Sequence, residues 1–103
     1  MAGLEDDHGG VDVDHSRQLP RLRRIEGQIR GLQQMIEGER PCGEVVQQIN
    51  AAVAALRRVQ TDMVQDHLQA CVQASMNGHL TEKQRRTLAE DAVKLMASLA
   101  RLR

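Results

Sequence analysis

The chain of 103 residues contains no Phe, no Trp and no Tyr. A core without rings must be assembled from Leu, Ile, Val, Met and Ala. Sandwiches and barrels draw on aromatic and β-branched side chains, so this composition points to packed helices. The same absence excludes a stacking platform for single-stranded nucleic acid, because no ring except His is available. Proline and cysteine are scarce, at two each. No apolar run approaches the roughly 18 residues needed to span a bilayer. No basic segment followed by an apolar stretch opens the chain, as a secretory signal would. The expectation is a cytoplasmic protein without a membrane role. Its two cysteines then read as thiols or metal ligands, not as a structural disulfide.

Basic and acidic residues balance at 14 each, but they are segregated. Residues 1 to 14 carry Glu5, Asp6, Asp7, Asp12 and Asp14 and no Lys or Arg, which leaves 14 basic and 9 acidic residues, a net +5, on the rest. Gly3, Gly9 and Gly10 fall in the same stretch, which has no helical apolar period. Residues 1–15 therefore read as a disordered acidic tail, and 16–103 as one domain. Arg17, Arg21, Arg23, Arg24 and Arg30 fall within 14 residues that offer only Glu26 as counter-charge. A solvated helix face and a phosphate-rich partner both fit such a run; Arg in place of Lys favours phosphate.

Three helices are predicted, and no strand or internal repeat. The first covers about 16–37, with Ser16 as N-cap, Pro20 in its first turn and Gly38 at its C-cap. Leu22, Ile25, Ile29, Leu32 and Ile36 recur at spacings of 3, 4, 3 and 4, one helical face. Gly27 and Gly31 interrupt it four residues apart, which predicts close approach by another helix. The second helix starts near Cys42 and meets no breaker before Asn77-Gly78. Val45, Ile49, Ala52, Leu56, Val59 and Met63 form its heptad-like seam. Thr81 begins the third, whose apolar side includes Leu88, Leu95 and Leu99. A helix of some 30 residues, about 45 Å long at 1.5 Å per residue, is too long for so short a chain to cover. A homo-oligomer in which long helices pair antiparallel is the expected solution.

Cys42 stands at the start of the second helix; His67 and Cys71 stand near its end. An i, i+4 pair shares one helical face and can bind one ion. Two thiolates and an imidazole suit copper(I), zinc(II) or nickel(II). Packed core roles for a lone His and a lone Cys are the plain alternative. Cys42 and Cys71 are 29 residues apart, about 43 Å along a continuous helix, so one chain cannot bring them together. In an antiparallel dimer, Cys42 of one chain meets His67 and Cys71 of the other, giving two equivalent sites. His8 or His15, on the tail, could add a ligand. His79 reads as a surface residue, and Met35, Met63, Met76 and Met96 as core fillers. No catalytic dyad other than Cys–His and no glycine-rich phosphate loop is present, so an enzyme is not indicated.

The stretch Leu22-Arg23-Arg24-Ile25-Glu26-Gly27-Gln28-Ile29-Arg30-Gly31-Leu32 resembles the opening helix of the copper-sensing operon repressors, a family that also holds nickel/cobalt, formaldehyde and persulfide sensors. The likeness continues through Met35-Ile36, Cys42, Gln48-Ile49, Ala51-Ala52, His67-Leu68, Cys71 and Asn77-Gly78. It implies an all-α, three-helix chain that forms a dimer and then a dimer of dimers, a homotetramer without a helix-turn-helix. It implies binding of operator double-stranded DNA through basic surfaces of the first two helices, and release when an inducer enters an intersubunit site.

Cys42, His67 and Cys71 together resemble the ligand set of the copper(I) sensors; persulfide sensors lack the histidine. Some nickel sensors add a histidine from the N-terminal region, at a position that aligns with Gly10 here, close to His8. Nickel(II) or zinc(II) is thus the alternative inducer. Many copper sensors carry a Tyr before the first Cys, hydrogen-bonded in a network with a Glu of the third helix. Here Pro41 replaces the Tyr, and Glu90 is the candidate acid. On the basic surface, Arg21 and Arg58 match family positions, while Arg17, Arg23, Arg24 and Arg57 are candidates by charge. A metal-binding module without a DNA role is the remaining reading.

Overall fold

A computed structural model describes residues 13–78 and 80–101. A short 3-10 turn, Ser16–Gln18, leads into α1 (Leu19–Glu37), followed by α2 (Cys42–Met76) and α3 (Glu82–Ala100). No strand occurs among the described residues. The all-helical expectation is met, and the uninterrupted run from Cys42 is a single helix of 35 residues.

The start of α1 differs from expectation. Ser16 is not the N-cap: it opens the 3-10 turn, which Gln18 closes by donating its backbone N–H to the carbonyl of His15 at 2.9 Å. The N-cap is Gln18, and Pro20 sits in the first turn. There its fixed φ suits the helix and its missing N–H goes unneeded. The end of α1 is built as expected, with Gly38 at the C-cap. The left-handed residue is the next one, Glu39, at φ 56°. The N–H of Glu39 reaches the carbonyl of Ile36, and the N–H of Arg40 that of Met35, at 3.1 and 3.0 Å. These two bonds satisfy the last carbonyls of the helix in a Schellman arrangement. Beyond α2, Gly78 takes the left-handed position at φ 73°. Thr81 then caps α3 reciprocally: its hydroxyl accepts from the Gln84 N–H, and the Gln84 side chain accepts from the Thr81 N–H.

The chain divides into two compact units. The N-terminal unit, residues 15–61, holds the 3-10 turn, α1 and the first part of α2. It buries Ile25, Ala52 and Val59. The predicted apolar faces are only half covered there: Leu22, Ile29 and Ile36 of α1, and Ile49 and Leu56 of α2, stay exposed. Val46 and Val53 lie exposed beside Ile49 and Leu56, so the open stripe on α2 runs 46, 49, 53, 56, at spacings of 3, 4 and 3. Among the described residues, none makes the close approach expected at Gly27 and Gly31. A Cβ at Gly31 would meet nothing within 4 Å, and one at Gly27 only the far end of Arg30.

The second unit joins residues 13 and 14 to residues 62–101. Cys71 of α2 and Leu88 of α3 form its buried centre, with Val13, Ala70, Ala74 and Leu80 packed around them. Val64 is buried as well.

Candidate metal centre and nucleic-acid interface

Cys42 opens α2 and is exposed; Cys71, further along the same helix, is buried. The two are free thiols. His67 lies one turn before Cys71 and is half-buried. The residue is engaged in an interaction, while its Nε2 atom is shielded from solvent. Among the described residues no group of three His, Cys, Asp or Glu side chains converges to hold a metal ion. One chain thus offers a single exposed thiol at one helix end, and a His–Cys pair on one helical face elsewhere. The donor chemistry, thiolate with imidazole, fits a soft or borderline ion.

The Cys71 thiol is pushed above its ordinary pKa of 9.0, first by burial and then by the nearby charge of Asp91. Burial disfavours the thiolate, and a carboxylate repels it. A metal ion captured at Cys71 would have to displace a proton, so its affinity would fall as pH falls. The folded chain holds this proton more tightly than the unfolded chain. Its contribution to stability is complete below pH 9.0 and declines as pH rises beyond it. Two results should follow. Iodoacetamide at neutral pH will alkylate exposed Cys42 at least about tenfold faster than buried Cys71, read by mass spectrometry. Asp91→Asn will speed alkylation of Cys71 without changing that of Cys42; equal rates at the two wild-type thiols would contradict this account.

Asp91 is a residue that the sequence did not single out. Its signal was weak: it lies 20 positions from Cys71 on another helix. Its neighbour Glu90, the candidate acid, is exposed on α3 beside Arg86, Ala89, Val93 and Lys94. His8 lies outside the described residues. His15 is described, half-buried just before the 3-10 turn, with its Nδ1 atom shielded and without a hydrogen bond.

The arginines sort themselves by position. Arg21 and Arg24 of α1 and Arg58 of α2 line one cleft in the N-terminal unit, with Ile25, Gln28 and Ala55, enclosing about 370 Å³. Three arginines share this cleft, and no acidic residue is found among its described lining. Arg21 and Arg24 are one turn apart on α1, which places both on the face that carries Gln28. Arg17, Arg23 and Arg57 are exposed and lie outside the lining. A concave cluster of guanidinium groups is suited to phosphate oxygens, which accept paired N–H donors.

A model of the metal-sensitive transcriptional repressor family matches residues 14–101. The chain belongs to this family. The family is one of transcriptional repressors, not of enzymes. The chain is 46% identical over 52 residues to the copper-sensing transcriptional repressor CsoR of Bacillus subtilis, covering 50% of this chain and 52% of that protein. It is 48% identical over 52 residues to the copper-sensing transcriptional repressor RicR of Mycobacterium tuberculosis, covering 50% of this chain and 54% of that protein. The chain thus spans about half the length of these relatives. Among solved structures, the nickel-responsive transcriptional regulator InrS is similar at a TM-score of 0.65 and 34% identity, over 81% of this chain and 93% of that one. No helix among the described residues is long and apolar enough to cross a membrane.

Proposed function

We propose that this member of the family is a copper(I)-responsive repressor in the cytoplasm. It binds operator double-stranded DNA in its metal-free form and releases it when copper(I) is held by Cys42 of one chain and His67 and Cys71 of a second. The observation that carries this reading is the split donor set: an exposed thiol opens α2, while His67 and Cys71 share one face four residues apart further along it. No converging set exists within the described chain. Two thiolates and one imidazole are a low-coordination donor set of soft character, which favours copper(I) over nickel(II) and zinc(II). The likeness to CsoR and RicR, both named as copper-sensing, supports the same choice.

The second chain also accounts for the open apolar stripes. Val46, Ile49, Val53 and Leu56 of α2 present the seam that an antiparallel partner helix would cover. The assembly we propose is a homodimer, and a homotetramer from two such dimers. Because the ligands come from two chains, metal binding acts on how the chains pack, and through that packing on the arginine clefts that grip DNA. Linkage makes the effect reciprocal: DNA lowers metal affinity by the factor by which metal lowers DNA affinity.

A specific observation also favours a nickel reading, the resemblance to InrS. In that case a histidine near the N-terminus, His8 or His15, would complete the site. An anaerobic titration decides between the two. Copper(I) competed against a colour-forming chelator should load one ion per chain and weaken DNA binding about 10- to 100-fold. Failure to compete, with tight nickel(II) binding that is lost on deleting residues 1–15, would replace copper by nickel.

A further inference from the structure

Gln18 stands out among the described residues as a polar side chain that is 1% exposed. Its Oε1 atom accepts a hydrogen bond from Nη1 of Arg21 at 3.2 Å. A guanidinium can only donate, so the amide oxygen has to face it. That orientation leaves the Gln18 Nε2 group buried without an acceptor, a cost to stability that a fully apolar side chain would not carry. The helix gains nothing in return. Gln18 occupies the N-cap of α1, yet its side chain makes no capping hydrogen bond. What the buried amide does secure is Arg21, one of the three arginines of the cleft.

We propose that Gln18 is a positioning residue that orients the Arg21 guanidinium in the cleft for phosphate contact. This rests on the reading of the cleft as the DNA interface. The chemistry of the acceptor matters. Arg21 lies with Arg24 and Arg58 in a cleft whose described lining holds no acidic residue, and guanidinium groups so placed repel one another. A carboxylate at position 18 would hold Arg21 but neutralise it. A neutral amide fixes the direction of the group and adds no counter-charge of its own. Ordering the side chain before DNA arrives also removes part of the entropy cost of binding.

The test compares Gln18→Met, Gln18→Glu, Arg21→Ala and the double variant Gln18→Met/Arg21→Ala, each in the full chain. The probe is a labelled duplex of the DNA upstream of its own coding sequence, followed by anisotropy across a salt series. Helix content and thermal midpoint are recorded for each protein. Gln18→Met, which keeps the shape and removes the acceptor, should bind about three- to tenfold more weakly. Its salt dependence should stay near wild type, because Arg21 keeps its charge. Gln18→Glu should also bind more weakly, with a shallower salt slope, because the charge of Arg21 is cancelled. In the Arg21→Ala background, Gln18→Met should cost nothing further. If Arg21→Ala itself leaves DNA binding unchanged, the interface reading fails. If Arg21→Ala weakens binding while Gln18→Met does not, or if Gln18→Met costs as much without Arg21 as with it, the positioning role alone is overturned. Should Gln18→Met lose its fold, the slope of Gln18→Glu decides: an unchanged slope refutes the proposal.

Discussion

A Cys42→Ala chain and a Cys71→Ala chain, assembled together, will regain one tight copper(I) site per pair of chains, although neither variant binds copper(I) tightly alone. Each single variant removes a thiolate from every site it can form. The loss should be at least about 100-fold in affinity, since even an outer hydrogen-bond partner of a ligand can be worth that much. In the mixed pair, one site draws Cys42 from the Cys71→Ala chain and His67 with Cys71 from the Cys42→Ala chain, and is intact. The other site lacks both thiols. A site formed within one chain would stay broken in every chain and give no tight copper at all. Differently tagged chains, purified as mixed pairs and titrated anaerobically, read the stoichiometry directly. Zero tight copper per pair would rule out the shared site. Copper-driven loss of DNA affinity should return in part, because half of the metal bridges across the interface are restored.

The features that rest on local spacing were legible in the sequence. The length of α2 follows from a run without breakers between Pro41 and Asn77. Gly38, Gly78 and Thr81 mark the ends where the structure turns. His67 and Cys71 share a face because they are four apart, whatever surrounds them. The failures are tertiary or depend on competition between local options. Ser16 has the chemistry of an N-cap, but the 3-10 turn that uses it places Gln18 at the cap instead. The seam read along α2 mixed residues with different fates: Ala52 and Val59 are buried while Ile49 and Leu56 remain open. Periodicity alone does not say how wide a face is or which neighbour covers each half. Burial of Gln18 could not be read at all, because a glutamine beside Arg17 looks like surface in any linear pattern. Charge named Arg17, Arg23, Arg24 and Arg57, and the family likeness named Arg21 and Arg58. Only the packing of the N-terminal unit shows that Arg21, Arg24 and Arg58 share one concave surface.

That selection among arginines leads to the second large effect. Alanine at Arg21, Arg24 and Arg58 together will weaken operator binding by about 100- to 1,000-fold at moderate salt, taking up to roughly one order of magnitude per substituted position, summed over the chains that engage the duplex. Alanine at Arg23 or Arg57, both exposed and both off the cleft, will cost about threefold or less through the general field. The contrast matters because all five side chains carry the same charge. A protein that attracted DNA by net charge alone would respond equally to each. The salt series measures how many phosphates each substitution releases. For every phosphate no longer neutralised, the slope of log affinity against log salt falls by about 0.9. A substitution acts on every chain that touches the duplex, so Arg58→Ala should lower the slope by about 1.8 if two chains engage the operator, and by about 3.6 if four do. Equal losses of affinity from Arg23→Ala and Arg58→Ala would dissolve the cleft as an interface. A slope change near 0.9 would mean that one chain's cleft meets DNA, which a symmetric repressor seated on its operator through paired subunits does not allow.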